Sequence, residues 1–243
     1  MQRITKVATG TAIALSGLAF LAGPVLAQEP TDEPALVGDG CVPAARIEAA
    51  RTRIERGIDN RLERIDRLQG HEDHLSDAHR ATVDALLGGD ESGLTALRAT
   101  VAAETDGCAL ADEGRSVVDD FRIYVVVTPQ VRLAGGADRL LGAEPKLDEV
   151  DQHLTDAVDQ AEADGQDVTA ARAALATFES EVDAALAAAA PVGDTVLALT
   201  PADFPDPAQS TLSSARTTLR GAVDHLKAAK QAAQDVRAAL GDG

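Results

Sequence analysis

The sequence is poor in aromatic residues, and this shortage excludes some classes of function. It holds no tryptophan, one tyrosine and four phenylalanines in 243 residues. Beyond the N-terminal segment the aromatic residues are Phe121, Tyr124, Phe178 and Phe204. A row of stacking platforms for bases or sugars needs more rings than these, and a formal net charge of −18 repels phosphate backbones. We therefore expect no nucleic-acid partner.

Short motifs for catalysis and cofactor binding are also absent. The sequence has no GxSxG nucleophile elbow, no glycine-rich phosphate loop, no HExxH zinc motif and no EF-hand calcium loop. It therefore predicts a protein that is not an enzyme and that holds no cofactor.

The first 27 residues have the layout of a secretory signal peptide. Arg3 and Lys6 precede an apolar stretch over 12–26, and a small-x-small sequence ends at Ala27. The stretch is shorter than the roughly 20 apolar residues that a spanning helix needs, and a Gly-Pro pair interrupts it. We predict cleavage between Ala27 and Gln28, an extracellular or cell-wall-associated protein, and no stable transmembrane segment in the mature chain.

Cysteine is nearly absent, with Cys41 and Cys108 as the two examples. An exported chain meets an oxidising environment, so these residues predict one disulfide. Their spacing does not fit a CxxC redox pair or a thiolate zinc site.

The N-terminal region, 43–142, is predicted to be helical after an acidic, proline-rich and disordered segment over 28–42. Isoleucine and leucine recur on one side of a helical wheel over 43–69, from Pro43 to a stop at Gly70. Two shorter helices are expected over 73–87 and 91–104, separated by Gly88-Gly89. Because these two together match the first helix in length, the prediction is a hairpin that the disulfide closes at its open end.

The segment FRIYVVV over 121–127 is open between a buried strand and a buried helix, because its β-branched and aromatic residues are typical of strands. A lone strand would leave its backbone groups unpaired in a chain without other strand patterns. The interpretation is therefore a buried helix over 115–141, bent near Pro129.

The C-terminal region, 145–240, repeats apolar residues at intervals of three and four. This spacing predicts helices over 145–163, 167–190 and 207–240 that pack along their length, with alanine allowing close approach. Asp164-Gly165 and a proline-rich linker from Pro191 to Pro207 mark the turns. The predicted fold is all-α: an elongated antiparallel helical bundle or set of coiled-coil hairpins with a flexible N-terminal lead-in.

Four stretches of the chain resemble a scattered family of exported, helix-rich bacterial proteins: GLTALRATVAAETD (93–106), FRIYVVVTPQVRLAGGADRL (121–140), LALTPADFP (197–205) and LKAAKQAAQDVRAAL (226–240). The resemblance covers most of the chain from about residue 43 onward, in the same order of segments. It implies a helical 121–140 but brings no activity, ligand or site residue. The cysteine pair is not part of that family's pattern.

The densest collection of metal-ligand side chains is the sequence HEDHLSDAH. On a helix, His71, His74 and Asp77 would lie three residues apart on one face, which suits zinc or copper. The alternative is a solvated turn after Gly70. The arginines of the first helix are interleaved with acidic residues, which is typical of a salt-bridged surface.

These observations leave the specific role of the protein open. The leading hypothesis is a secreted or cell-envelope, non-enzymatic helical spacer that presents a charged face to a protein or cell-wall partner. The alternatives are a small-ligand or metal binder, at His71, His74 and Asp77 or between helices near Phe121 and Tyr124, and a protein that associates reversibly with lipid surfaces. Homo-oligomers are compatible with the helical pattern.

Overall fold

The computed structural model describes residues 35–38, 40–70 and 74–241. Across these ranges the chain is helical and contains no strand, so the predicted all-α class is confirmed. The predicted cleavage site at Ala27 and Gln28 lies outside the described residues.

Eight α-helices follow one another in the described part of the chain. They are α1 (Ile47–Gln69), α2 (Asp77–Ala103), α3 (Gly107–Asp119), α4 (Thr128–Leu141), α5 (Glu144–Ala163), α6 (Thr169–Ala189), α7 (Val192–Leu197) and α8 (Ala208–Leu240). A π-helix spans Ile123–Val127, and short 3-10 turns span Ala44–Arg46 and Pro201–Asp203. Among these helices, none combines the length and the apolar character needed to cross a lipid bilayer.

The first two helices form the predicted hairpin, but its second arm is a single helix. The expected break at Gly88-Gly89 is wrong, because both glycines lie inside α2. A glycine in a helix costs only about 1 kcal/mol relative to alanine, whereas α2 buries Leu87 and Leu94 completely on either side of the pair. Burial of such a side chain stabilises by roughly 1.5 to 3 kcal/mol, so packing outweighs local propensity.

The open end of the hairpin is where Cys41 and Cys108 meet, at disulfide distance and with their Cα atoms 4.0 Å apart. The backbone N–H of Val42 donates to the carbonyl oxygen of Gly107 at 2.8 Å beside them. Gly107 has to be a glycine here, because a Cβ atom would overlap the Val42 carbonyl.

The segment before Cys41 also differs from the prediction of disorder over 28–42. Leu36 and Val37 pack against the core, where Gly57 and Gly114 leave room for their side chains. Their apolar surface is removed from water, which gives this short stretch a reason to be ordered. Residues 28–34 lie outside the described residues.

The predicted helix over 115–141 is divided at Arg122 rather than bent at Pro129. Arg122 adopts a left-handed conformation with φ 46°, and the π-helix begins at the next residue. Pro129 instead occupies the first turn of α4, where prolines are well tolerated. The sequence FRIYVVV is therefore helical beyond Arg122, with Ile123, Val126 and Val127 fully buried.

The C-terminal helices pair along the apolar spacing seen in the sequence, and their bounds lie within two residues of the expected ranges. Helix α8 has 33 residues, or about 50 Å at 1.5 Å per residue. Its buried seam against α6 alternates leucine with alanine, so the two axes approach closely. The linker over 191–207 was not expected to hold a helix, but α7 lies within it and packs mainly on α4.

Candidate functional site

The residues predicted to bind a metal are not brought together on a helical face. His71 lies outside the described residues, and α2 begins only at Asp77, so His74 precedes the helix. His74 and Asp77 are both exposed. Across 35–38, 40–70 and 74–241, no three His, Cys, Asp or Glu side chains are grouped so that they could hold a metal ion.

The two aromatic residues of the alternative ligand site take part in packing. Phe121 lies against Gly93 of α2, close enough that a Cβ atom there would overlap its ring. The guanidinium of the buried Arg61 lies over the ring of Tyr124, 5.2 Å from its centroid. Both rings therefore help to join the N-terminal hairpin to the π-helix.

Charge is distributed unevenly among the helices. The α5–α6 hairpin, over 144–189, holds twelve acidic residues and two basic ones, Lys146 and Arg172. By contrast, α1 holds six basic and five acidic residues, and α8 holds five basic and two acidic ones. The negative charge of the protein is thus concentrated on one hairpin, which we call the acidic hairpin.

Few of the carboxylates on the acidic hairpin are neutralised. Arg172 binds Asp159 at 2.9 Å and also Glu162, and His225 of α8 lies 2.6 Å from Glu181. Among the described residues, five acidic side chains have no ion-pair partner and lie exposed on the two helices: Glu144, Asp148, Asp156, Glu179 and Asp183. This surface presents unpaired negative charge to solvent.

The carboxylates also act on one another across the two helices. Partial burial raises the pKa of Asp151 on α5, and the charges of Asp148 and Asp183 raise it further. Asp183 belongs to α6, so the acidic side chains of both helices converge on one region. Like charges held this close oppose folding, which is a cost that a cationic partner would relieve.

A second polar group joins three helices near the start of α2. The Nδ1 atom of His79 lies 2.9 Å from both carboxylate oxygens of Asp138 on α4, and its Nε2 atom lies 3.1 Å from Oδ1 of Asp194 on α7. We call this arrangement the His79 clamp. It is half-enclosed, because the side chains of His79, Asp138 and Asp194 are 14%, 5% and 89% exposed.

Neighbouring backbone groups fix the geometry of the His79 clamp. Ser76 caps α2 by accepting a hydrogen bond from the His79 N–H at 3.3 Å, and the Ser76 N–H donates to Asp138 at 2.6 Å. A carboxylate beside the start of a helix is favoured by the helix dipole. The His79 ring lies against Gly193 of α7, where a Cβ atom would overlap it.

Opposing effects act on the His79 ring. Burial, the largest single effect, lowers the pKa of His79, but the hydrogen bonds and charges of Asp138 and Asp194 together raise it above its ordinary value. The clamp therefore favours the protonated ring.

Sequence reasoning included His79 among the residues of HEDHLSDAH but did not find its partners. One signal was present: His79 precedes Val83 and Leu87 at intervals of four, which places it on the buried face of α2. Asp138 and Asp194 have no such signal, because they are 59 and 115 residues away in sequence.

Comparison with known proteins gives no match: no protein-family model, no curated protein and no solved structure corresponds to this chain. The resemblance to exported, helix-rich bacterial proteins remains a prediction.

Proposed function

We propose that this protein is an exported, non-enzymatic helical interaction protein whose acidic hairpin binds a basic protein partner in the cell envelope or outside the cell. The observation that supports the proposal is the segregation of charge, with twelve acidic and two basic residues over 144–189. A general need for solubility is met by charge spread over the whole surface. Concentration of one sign on a single hairpin instead favours a partner of the opposite sign.

The shape of the C-terminal helices supports the same proposal. The acidic hairpin includes α6, which is packed along the 33-residue α8 and so is held rigidly. A preorganised charged surface loses little conformational entropy when a partner binds. Helix α5 lies against α6 and α8 with all of its carboxylates except that of Asp151 exposed, so the negative surface is available from solvent.

The test compares two triple variants that remove the same charge from different places. The first, Asp148→Asn/Asp156→Asn/Asp183→Asn, removes three exposed carboxylates from the acidic hairpin. The second, Asp66→Asn/Asp84→Asn/Asp120→Asn, removes three exposed carboxylates on or beside α1, α2 and α3. Binding of each purified protein to poly-lysine and to isolated envelope proteins is measured by calorimetry and by retention, at low and at physiological salt. We expect the first triple variant to weaken binding about tenfold or more, which corresponds to a loss of roughly 1.4 kcal/mol of binding free energy. The second triple variant should have a much smaller effect.

The control triple makes the result specific to the hairpin. Equal weakening by both triples would mean that only the net charge matters, and that outcome contradicts the proposal. The proposal would also be contradicted if retention of the wild-type protein did not fall as the salt concentration rises, because exposed charge pairs are screened by salt.

A further inference from the structure

We propose that the His79 clamp is an acid-engaged latch that docks the first turn of α7 onto α2 and α4 and releases that turn when the ring loses its proton. The inference concerns the conformation of the protein and does not depend on the proposed partner. A neutral imidazole has one N–H, whereas both ring nitrogens of His79 face carboxylate oxygens at hydrogen-bond distance. Only the imidazolium can donate to both.

The charged groups that face the ring come from the two helices packed against it, Asp138 from α4 and Asp194 from α7. They differ in how firmly they are held. Asp138 is buried and also accepts the Ser76 N–H, while the Asp194 side chain is almost fully exposed. When the ring loses one proton, the remaining N–H is favoured on Nδ1. If it were on Nε2 instead, the buried carboxylate of Asp138 would face the lone pair of Nδ1. Asp194 then faces the lone pair of Nε2, and the α7 side of the clamp opens.

Helix α7 is well placed to respond because it joins the two regions of the chain. It packs on α4 and also contacts α2, α6 and α8. Its far end is held separately by Gln130, whose buried side-chain amide donates to the carbonyl oxygens of Val196 and Leu199 at 2.8 and 2.7 Å. That hydrogen-bonded end does not titrate, so the release is confined to the first turn of α7, around Gly193 and Asp194.

The direction of the pH dependence follows from the protonated ring. Because the pKa of His79 is raised in the folded protein, the contribution of the clamp is complete below the ordinary value of 6.5. It is then lost as the pH rises through the higher folded-state value. The latch is therefore closed in mildly acidic surroundings and open in alkaline ones.

The variant Asp194→Asn tests the latch without disturbing the core. An asparagine presents a carbonyl oxygen to a protonated Nε2 and an amide N–H to a deprotonated one, so it can bond to either state of the ring. In the wild-type protein, amide protection of α7, corrected for intrinsic exchange rates, should fall between pH 5.5 and pH 9, because the neutral ring no longer donates a hydrogen bond to Asp194. In Asp194→Asn the fall should largely disappear. Asp156→Asn, on α5, should behave like the wild type.

Side-chain NMR provides a second measurement. The titration midpoint of His79 should decrease in Asp194→Asn, because one of the two carboxylates that favour the protonated ring is removed. Wild-type protection of α7 that does not change with pH would overturn the inference, and so would a full pH dependence in Asp194→Asn.

Discussion

At the scale of single residues, Asp90 is a charged group that is poorly suited to its position. It lies on the buried face of α2, is 9% exposed, and its Oδ2 atom has no hydrogen-bond partner among the described residues. Burial raises its pKa to about 6. The ionised form is therefore disfavoured in the folded protein, and no ion pair within the described part of the chain compensates for the lost hydration.

Replacement of Asp90 by asparagine should stabilise the protein at neutral pH. A raised carboxyl pKa means that the wild type loses stability as the pH rises from about 4 to above 6, since the unfolded chain ionises more readily. We expect Asp90→Asn to gain roughly 1 to 3 kcal/mol at pH 8 and almost nothing at pH 4. Urea unfolding at both pH values measures this difference. Asp84→Asn, an exposed change on the same helix, serves as the control, and a gain of equal size at both pH values would count against the explanation.

At the scale of elements, the regular spacing of apolar residues predicts α1, α5, α6 and α8, because each buries one continuous face. It fails where packing and local propensity disagree. The glycine pair in α2 predicts a break, but burial on either side maintains the helix. The turn at Arg122 was not predictable either, because arginine has no special preference for the left-handed conformation that it adopts. The short α7 lacks enough residues for a periodic pattern.

The adjacent glycines Gly88 and Gly89 inside α2 should therefore be replaceable. Outside the backbone of α2 itself and the two adjacent residues, no atom of the described residues lies within 4 Å of a Cβ atom built on Gly89. Gly89→Ala should therefore stabilise the protein by roughly 0.5 to 1 kcal/mol through the lower entropy of the unfolded chain. Thermal and urea unfolding measure the gain. Gly107→Ala provides the contrast, because its Cβ atom would overlap the Val42 carbonyl and should destabilise the open end of the hairpin. A loss of stability in Gly89→Ala would show that α2 requires flexibility at this point.

At the scale of the whole molecule, two kinds of connection hold the chain together. The α6–α8 pair depends on a long apolar seam of leucine and alanine, which the sequence pattern predicts. The N-terminal hairpin adds long-range polar contacts, such as Arg51 donating to the Val101 carbonyl at 3.1 Å and Arg98 pairing with Asp59 at 3.0 Å. Contacts of this second kind depend on which surfaces meet, so the sequence alone did not identify them.

The cysteine pair connects the ends of the hairpin, and its removal should affect the two regions unequally. Cys41 and Cys108 are 67 residues apart, and closing a loop of that size stabilises by roughly 4 kcal/mol on the chain-entropy model. We expect the free energy of unfolding, measured in urea, to fall by a large part of this amount in Cys41→Ser/Cys108→Ser. Cys41→Ser alone should lose as much, because the crosslink needs both sulfurs. Hydrogen exchange should increase in α1, α2 and α3, while α6 and α8, which contain neither cysteine, change much less. A loss below about 1 kcal/mol, or faster exchange confined to α6 and α8, would contradict a stabilising crosslink at the open end.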